Sequence, residues 1–137
     1  MEITIETTIK APIEQVWSAW ITPEDIKQWN FASEDWCCPD AKVDFREGGT
    51  FNLRMEARDG SIGFDLEGRY TEIVEHKSID YALVDDRKVA VKFIGSGEGV
   101  LVSETFEAED EHSTEQQRQG WQSILDNFRK HVEQSGS

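Results

Sequence analysis

Near its end the chain reads Gly120-Trp121-Gln122-Ser123-Ile124-Leu125-Asp126-Asn127-Phe128. The apolar residues here recur at the spacing of one helical face, and this stripe comprises Trp121, Ile124, Leu125, Phe128 and Val132. About a hundred residues of strand-like sequence come before it. The pattern predicts a long helix that closes over a sheet, and a cleft between helix and sheet is where we expect the function to lie.

The chain begins with a predicted strand and two short helices. Ile3, Ile5 and Ile9 alternate with polar residues, which is the period of a half-buried strand. Pro12 suits the first turn of a helix, and Thr22-Pro23 predicts a second helix with the Thr22 hydroxyl as its N-cap. The expected order is therefore one strand, two helices and then the rest of the sheet.

From Ala41 to Glu107 apolar and polar residues alternate between turn signals, which predicts a series of antiparallel strands. Val43 and Phe45 suggest a short strand. Asp59-Gly60 predicts a hairpin whose primed turn has positive φ at both central positions. On the strand that follows this turn, the residues expected to face inward are Ile62, Phe64, Leu66 and Tyr70.

Chain length indicates the number of domains, and the net charge excludes some kinds of binding partner. The 137 residues match one ordinary domain, which we place at residues 1–137. With 28 Asp+Glu against 14 Lys+Arg, the formal charge of -14 repels nucleic acid phosphates and anionic membranes. Nucleic acid is therefore not an expected partner, and the acidity is read as a solvated surface.

No cofactor or metal site is predicted. Cys37 and Cys38 are neighbours, too close for an ordinary disulfide, and the three histidines are scattered without zinc spacing. Signatures of standard hydrolases, nucleotide sites and metalloproteases are absent from the sequence. The first residues have no basic or continuous apolar stretch, and no segment has the length of a membrane span. We expect a soluble cytoplasmic protein that does not insert into membranes.

Three separated motifs resemble those of one superfamily. The opening helices, from Ala11 to Trp29, are similar to its pattern P-x-x-x-V-W-x-A-W-T-x-P-E, and Gly48-Gly49-Thr50-Phe51 is similar to its strand entry G-G-x-F. Gly120-Trp121 with Leu125 matches its G-W-x-x-x-L helix start. The order of elements and these motifs resemble the START-like, or SRPBCC, superfamily with its Bet v-like helix-grip fold. The motifs point to the branch of homologues of the activator of the heat-shock-protein-90 ATPase.

This resemblance implies a fold and a class of function. The implied fold is α+β, with a curved antiparallel sheet of about six or seven strands around a long C-terminal helix and two short helices after the first strand. Members typically hold a hydrophobic small molecule between sheet and helix, and some relatives are cyclases or hydrolases. In the co-chaperone itself a second domain engages the chaperone. Because 137 residues leave no room for it, chaperone contact is an alternative and not the expected function.

Aromatic and aliphatic side chains on the predicted inner faces are candidates for a ligand pocket, although each could equally be ordinary core. The segment from Trp29 to Trp36 is aromatic yet loop-like, and it is the predicted mouth. The candidate ligand-binding residues are Trp20, Trp29, Phe31, Trp36, Phe51, Leu53, Phe64, Leu66, Tyr81, Phe93, Trp121 and Leu125.

Glu104 is the strongest candidate for chemistry, but the sequence leaves its direction open. If Val100, Val102 and Phe106 face inward, Glu104 shares their apolar face, where its pKa would rise and suit a general acid or base. The other register turns Leu101 inward and leaves Glu104 in solvent. No residue is therefore assigned a catalytic role.

The expected function is non-enzymatic binding of a small hydrophobic or amphipathic molecule between the sheet and the helix that carries Trp121. Two alternatives remain open at this stage. One is a protein-interaction module related to the co-chaperone domain, which would use the charged surface. The other is an enzyme that acts on a hydrophobic substrate. A cavity would favour binding or catalysis, whereas a filled core would favour interaction.

Overall fold

The structure, a computed structural model, describes residues 1–135, so the predicted domain at 1–137 extends past the described part by its last residues. The chain forms one strand, two short helices, six further strands and a long helix. In order these are β1 (Glu2–Ile9), α1 (Ile13–Ile21), α2 (Pro23–Trp29), β2 (Trp36–Val43), β3 (Thr50–Ala57), β4 (Gly63–Val74), β5 (Ser78–Leu83), β6 (Lys88–Ser96), β7 (Gly99–Glu107) and α3 (Thr114–Ser135).

All strands join one antiparallel sheet in the order β1-β7-β6-β5-β4-β3-β2. Hairpins connect the strands from β2 to β7, and β1 closes the far edge by pairing with β7. The sheet curls into a half-barrel around α3. This arrangement confirms the predicted helix-grip fold.

The pairing of β1 with β7 shows which way the Glu104 side chain points. Ile5 pairs with Glu104, and Ile3 pairs with Phe106, so these side chains share one buried face. Val100 and Val102 are buried on the same face. The register that turns Glu104 inward is therefore the one found, because it puts the apolar sides of both strands against the core.

Helix α3 begins with a capping box formed by Ser113 and Gln116. The Gln116 backbone N–H donates to the Ser113 hydroxyl at 3.1 Å, and the Ser113 N–H donates to the Gln116 side-chain oxygen at 3.2 Å. Leu125, Phe128 and Val132 form the buried face of the helix. The N-terminal part of that face is only half-buried, at Trp121 and Ile124, because a cavity lies beneath it.

Strand β2 was not predicted in its observed position. It spans Trp36–Val43, and Phe45 follows it, whereas the sequence suggested a short strand over Val43 and Phe45. Pro39 lies inside β2, where the pairing with β3 shifts between Cys37 and Asp40. An edge strand with a bulge tolerates proline, because the missing N–H is not needed for a second ladder.

Three local expectations also differ from the structure. In the hairpin at Asp59-Gly60 only Gly60 has positive φ, so the turn is not of the primed type. Ile62 lies before β4 and is 61% exposed, and so it does not face inward as expected. The Thr22 hydroxyl makes no cap hydrogen bond and lies 3.5 Å from the Ser18 hydroxyl instead.

Within residues 1–135 none of the helices combines the length and apolar character needed to cross a membrane.

Candidate ligand-binding cavity

A cavity of about 350 Å³ lies between the concave face of the sheet and the N-terminal half of α3. Such a volume falls within the range of small-molecule sites, which is roughly 300 to 1,000 Å³. Strands β3, β4, β5 and β7 form one wall, and α1, α2 and α3 form the other. The lining residues are Trp20, Ile26, Trp29, Asn30, Phe51, Leu53, Met55, Phe64, Leu66, Tyr70, Tyr81, Leu83, Arg87, Glu104, Glu109, His112, Gln117, Trp121, Ile124 and Leu125.

Most of the residues proposed from the sequence meet at this cavity. They come from six elements that are far apart in the chain, and the curled sheet brings them together. Those that line it are Trp20, Trp29, Phe51, Leu53, Phe64, Leu66, Tyr81, Trp121 and Leu125.

The structure places the other three candidates elsewhere. Phe93 belongs to the hydrophobic core, since its buried ring packs edge-on against Trp17 with the two ring centroids 5.2 Å apart. Trp36 packs its ring against Phe64 at 6.0 Å, and Phe31 lies beneath the Arg58 guanidinium. Phe31, Trp36 and Phe93 are therefore not part of the cavity wall. Of the predicted mouth, only Trp29 and the adjoining Asn30 reach it.

The sheet wall is built by strand alternation on β3 and β4. Phe51 and Leu53 pair with Gly68 and Leu66, so both strands present this face to the cavity side. Gly68 is required here, because a Cβ at this position would lie 2.6 Å from the Phe51 ring. The missing side chain lets the Phe51 ring lie across β4 and pack edge-on against Tyr81, with the two ring centroids 5.1 Å apart.

Glu104 is a buried carboxyl in this apolar wall, with 5% of its surface exposed. Burial raises its pKa to about 8, because the charged form loses its hydration, and a hydrogen-bonding interaction with the Tyr81 hydroxyl offsets part of that rise. Burial also raises the pKa of Tyr81 well above its usual value, and the charge of Glu104 adds to the rise. The carboxyl is therefore largely protonated at neutral pH, and it can donate or accept a proton within the cavity.

One end of the cavity is polar, and Gln117 organises it. The Gln117 amide donates to the backbone oxygens of Glu109 at 3.1 Å and of His112 at 2.8 Å. Its side-chain oxygen accepts from the Glu109 N–H at 2.8 Å. These bonds fix the linker between β7 and α3 on the first turn of the helix, so Glu109 and His112 of this linker form part of the cavity wall.

The charged side chains at this end pair with one another. Arg87 Nε lies 2.6 Å from Asp85 Oδ2, and His112 Nδ1 lies 2.6 Å from Glu109 Oε1. The hydrogen bond from His112 lowers the pKa of the Glu109 carboxyl, and the positive charge of Arg87 lowers it further. The charged side chains of the polar end are therefore paired with neighbouring groups.

Among residues 1–135, the side chains of Glu109, Glu111 and His112 are near enough for their ligand atoms to lie within 4.8 Å of one another. Glu111 and His112 are exposed, and His112 Nδ1 is already engaged by Glu109. Exposed acidic groups commonly gather in this way without an ion, and the cluster does not make a metal site.

Sequence reasoning missed part of the lining. Met55, Tyr70 and Leu83 lie on strand faces whose alternation identifies them as inward, so this signal was present. The polar residues at the linker and at the β5–β6 turn carried no such signal. Whether these polar residues reach the cavity depends on how two loops at one end of the sheet pack against the start of α3. That packing belongs to the tertiary structure and leaves no local pattern in the sequence.

The sequence profile of the family described as activator of Hsp90 ATPase homolog 1-like protein matches residues 10–133. The solution structure of the AHSA1-like protein from Aeromonas hydrophila is similar, with 44% identity and a TM-score of 0.94, over 99% of this chain and 94% of that one. No curated protein matches.

Two further solved structures share the fold. Chr148 from Cytophaga hutchinsonii has 39% identity and a TM-score of 0.84, over 98% of this chain and 93% of that one. Protein CV1439 from Chromobacterium violaceum has 25% identity and a TM-score of 0.85, over 97% and 98%. The chain belongs to the family of activator of Hsp90 ATPase homolog 1-like proteins, a branch of the SRPBCC superfamily.

Proposed function

We propose that this protein binds a small, largely apolar molecule that carries a polar group, in the cavity between the sheet and α3. The observation that carries the proposal is the combination of a volume of about 350 Å³ with walls that are mainly aromatic and aliphatic. Ligand sites have this composition, with few polar groups that set orientation. Glu104 and Tyr81 are such groups, because they come from the sheet and lie within the apolar wall.

The same cavity supports a second candidate function, which is acid–base catalysis on a bound apolar molecule. The specific observation in its favour is the carboxyl of Glu104, whose pKa of about 8 is near the pH at which a general acid or base works well. Catalysis also requires the molecule to bind first. Binding is therefore the function tested first.

The proposed place of action is the cytoplasm. Cys37 and Cys38 are both free thiols, which is the usual state of cysteines in a reducing compartment. Free thiols are compatible with the location expected from the sequence.

Binding is tested with N-phenyl-1-naphthylamine, a neutral probe at neutral pH whose fluorescence rises in apolar surroundings. We expect saturable binding of one probe per chain. Leu66→Trp adds a large side chain to the cavity wall from β4, and we expect it to weaken probe binding at least about tenfold, or roughly 1.4 kcal/mol.

The matched control is Ile94→Trp, which adds a tryptophan to an exposed position on β6 outside the cavity wall. Its probe affinity should stay within about twofold of the parent chain, since the cavity volume does not change. Equal losses in both variants, or saturable binding unaffected by Leu66→Trp, would place the probe on the surface and contradict the proposal.

A further inference from the structure

Glu104 lacks a cationic partner among the described residues. Its pKa reflects burial and the Tyr81 hydroxyl, with no contribution from a positive charge. Arg87 is the cation of the cavity wall, and its guanidinium is held by Asp85 at 2.6 Å. Buried carboxylates are normally paired with a cation, because an isolated buried charge is costly. When Glu104 is ionised, the described residues therefore provide no counter-ion for it.

We propose that the ligand supplies this counter-ion, and that the cavity binds a protonated amine carried on an apolar body, with Glu104 as the charge that it meets. This inference rests on the proposed function of the same cavity. The bound pair consists of an ammonium group and the Glu104 carboxylate. The Tyr81 hydroxyl donates to one carboxylate oxygen, which leaves the other oxygen for the ammonium N–H groups.

The walls suit an ammonium group. Aromatic faces attract cations through the quadrupole of the ring, and sites for alkylammonium groups are commonly aromatic cages. Tyr81 and Trp121 line the cavity together with Glu104, and the Trp121 ring is held in place by its stack on Phe106. A carboxylate among aromatic rings therefore favours a cation over an anion.

The charge of the whole chain also favours a cation. The formal net charge of -14 attracts cationic ligands over long distances and repels carboxylates. Size is compatible as well, because about 350 Å³ lies within the range of roughly 300 to 1,000 Å³ found for small-molecule sites. We expect such a cavity to accommodate a bicyclic aromatic ring with a short aminoalkyl chain.

Binding of an ammonium ion is coupled to the ionisation of Glu104. Below its pKa of about 8, Glu104 must release its proton to the solvent before it can pair with the cation. Affinity for the amine should therefore rise about tenfold per pH unit up to about pH 8 and then level off. An uncharged ligand that accepts a hydrogen bond from the protonated carboxyl would show the opposite trend.

The groups that neighbour Glu104 in the sheet are apolar, and the other titratable side chains of the cavity wall lie on other elements. The strands beside it, β1 and β6, present apolar Ile5 and Val91 in the adjacent register positions. The facing helix contributes Trp121 and Leu125. The remaining titratable side chains on the wall are the two tyrosines and the paired polar end, Tyr70, Tyr81, Arg87, Glu109 and His112.

The test compares three ligands with one aromatic body, namely 2-(1-naphthyl)ethylamine, 2-(1-naphthyl)ethanol and 3-(1-naphthyl)propanoate. Calorimetric titration at pH 7 in two buffers of different ionisation enthalpy measures affinity and proton release together. We expect the amine to bind at least about tenfold more tightly than the alcohol, with release of about 0.9 proton, and the carboxylate to bind weakest.

Glu104→Gln keeps the shape of the side chain and removes its charge. This variant should weaken amine binding at least about tenfold, abolish proton release, and leave the alcohol within about threefold. Glu98→Gln removes the same charge at an exposed turn between β6 and β7, and it controls for net charge. Its amine affinity should stay within about twofold.

The outcomes separate the two proposals. If the alcohol binds as tightly as the amine, or if Glu104→Gln leaves amine binding unchanged, the amine inference is wrong while the binding cavity stands. If none of the three naphthyl ligands binds and N-phenyl-1-naphthylamine also fails to bind, both the inference and the proposed function are wrong.

Discussion

Trp121 of α3 lies stacked on Phe106 of β7, with ring centroids 4.0 Å apart and planes inclined by 8°. Phe106 is fully buried in the sheet, whereas Trp121 is half-buried at the cavity. The stack therefore joins the start of the closing helix to the sheet at the edge of the cavity. It holds helix and sheet apart at a fixed spacing, which keeps the space beside Glu104 open.

Removal of the Trp121 ring should destabilise the fold. Trp121→Ala removes a large half-buried ring and its stack on Phe106, and we expect a loss of about 2 to 3 kcal/mol in the free energy of unfolding. Trp121→Phe keeps a ring over Phe106 and should cost about 1 kcal/mol. Urea denaturation measures both values. A loss below about 0.5 kcal/mol for Trp121→Ala would contradict a structural role for the stack.

Stability should depend on pH through Glu104. Its pKa is about 8 in the folded chain and near 4.5 when solvated, so the folded state binds more protons between these values. The free energy of unfolding therefore falls as pH rises from about 4.5 to about 8, by at most about 5 kcal/mol from this group. In Glu104→Gln the fall is absent, and the variant should exceed the parent chain at pH 9 by about 2 kcal/mol or more.

The comparison with the parent chain isolates this effect, because all other carboxylates titrate in both proteins. Chemical denaturation at pH 5 and at pH 9 gives the difference at each end of the range. The difference for exposed Glu98→Gln should be the same at both pH values. The difference in the free energy of unfolding between Glu104→Gln and the parent chain could also be the same at pH 5 and at pH 9. In that case Glu104 is ionised in the folded chain at both pH values, and burial does not raise its pKa.

Gly68 should tolerate no side chain. In Gly68→Ala the new Cβ would meet the Phe51 ring at 2.6 Å and the Ala82 carbonyl oxygen at 2.8 Å. The ring must then move, and we expect a loss of about 1 to 3 kcal/mol with weaker probe binding. Gly95→Ala on β6 is the matched control, since nothing lies within 4 Å of its Cβ position. Thermal denaturation of both variants measures the contrast, and equal melting temperatures would count against this packing.

The sequence was sufficient for the fold because separate local signals agreed. Alternation of Ile3 and Ile5 identified the first strand, the stripe from Trp121 to Val132 identified the last helix, and turn residues divided the strands between them. For β7 both registers offered apolar residues, so alternation alone did not decide the direction of Glu104. Pairing of Ile5 with Glu104 and of Ile3 with Phe106 decides it, and that information is tertiary.

Errors arose where sequence signals were weak or shared. Pro39 and Asp40 are residue types that strands disfavour, so the sequence did not indicate strand β2. The strand forms because β3 provides a partner for it at the sheet edge. Phe93 has the same strand pattern as the cavity residues, but the rings of Trp17 and Trp20 cover it. Alternation shows that a side chain faces inward. It does not distinguish a filled core from the wall of a cavity, since that difference depends on what the opposite layer supplies.

Methyl NMR during titration with N-phenyl-1-naphthylamine tests directly whether an apolar molecule binds between the sheet and α3. Binding between the sheet and α3 predicts saturable shifts for methyl groups of the cavity wall, among them those of Leu53, Met55, Leu66, Leu83 and Leu125. The signals of exposed methyl groups, such as those of Val74, Val84 and Ile94, should not shift. Shifts confined to the exposed group, with no change at the wall, would contradict the claim that this cavity binds an apolar molecule.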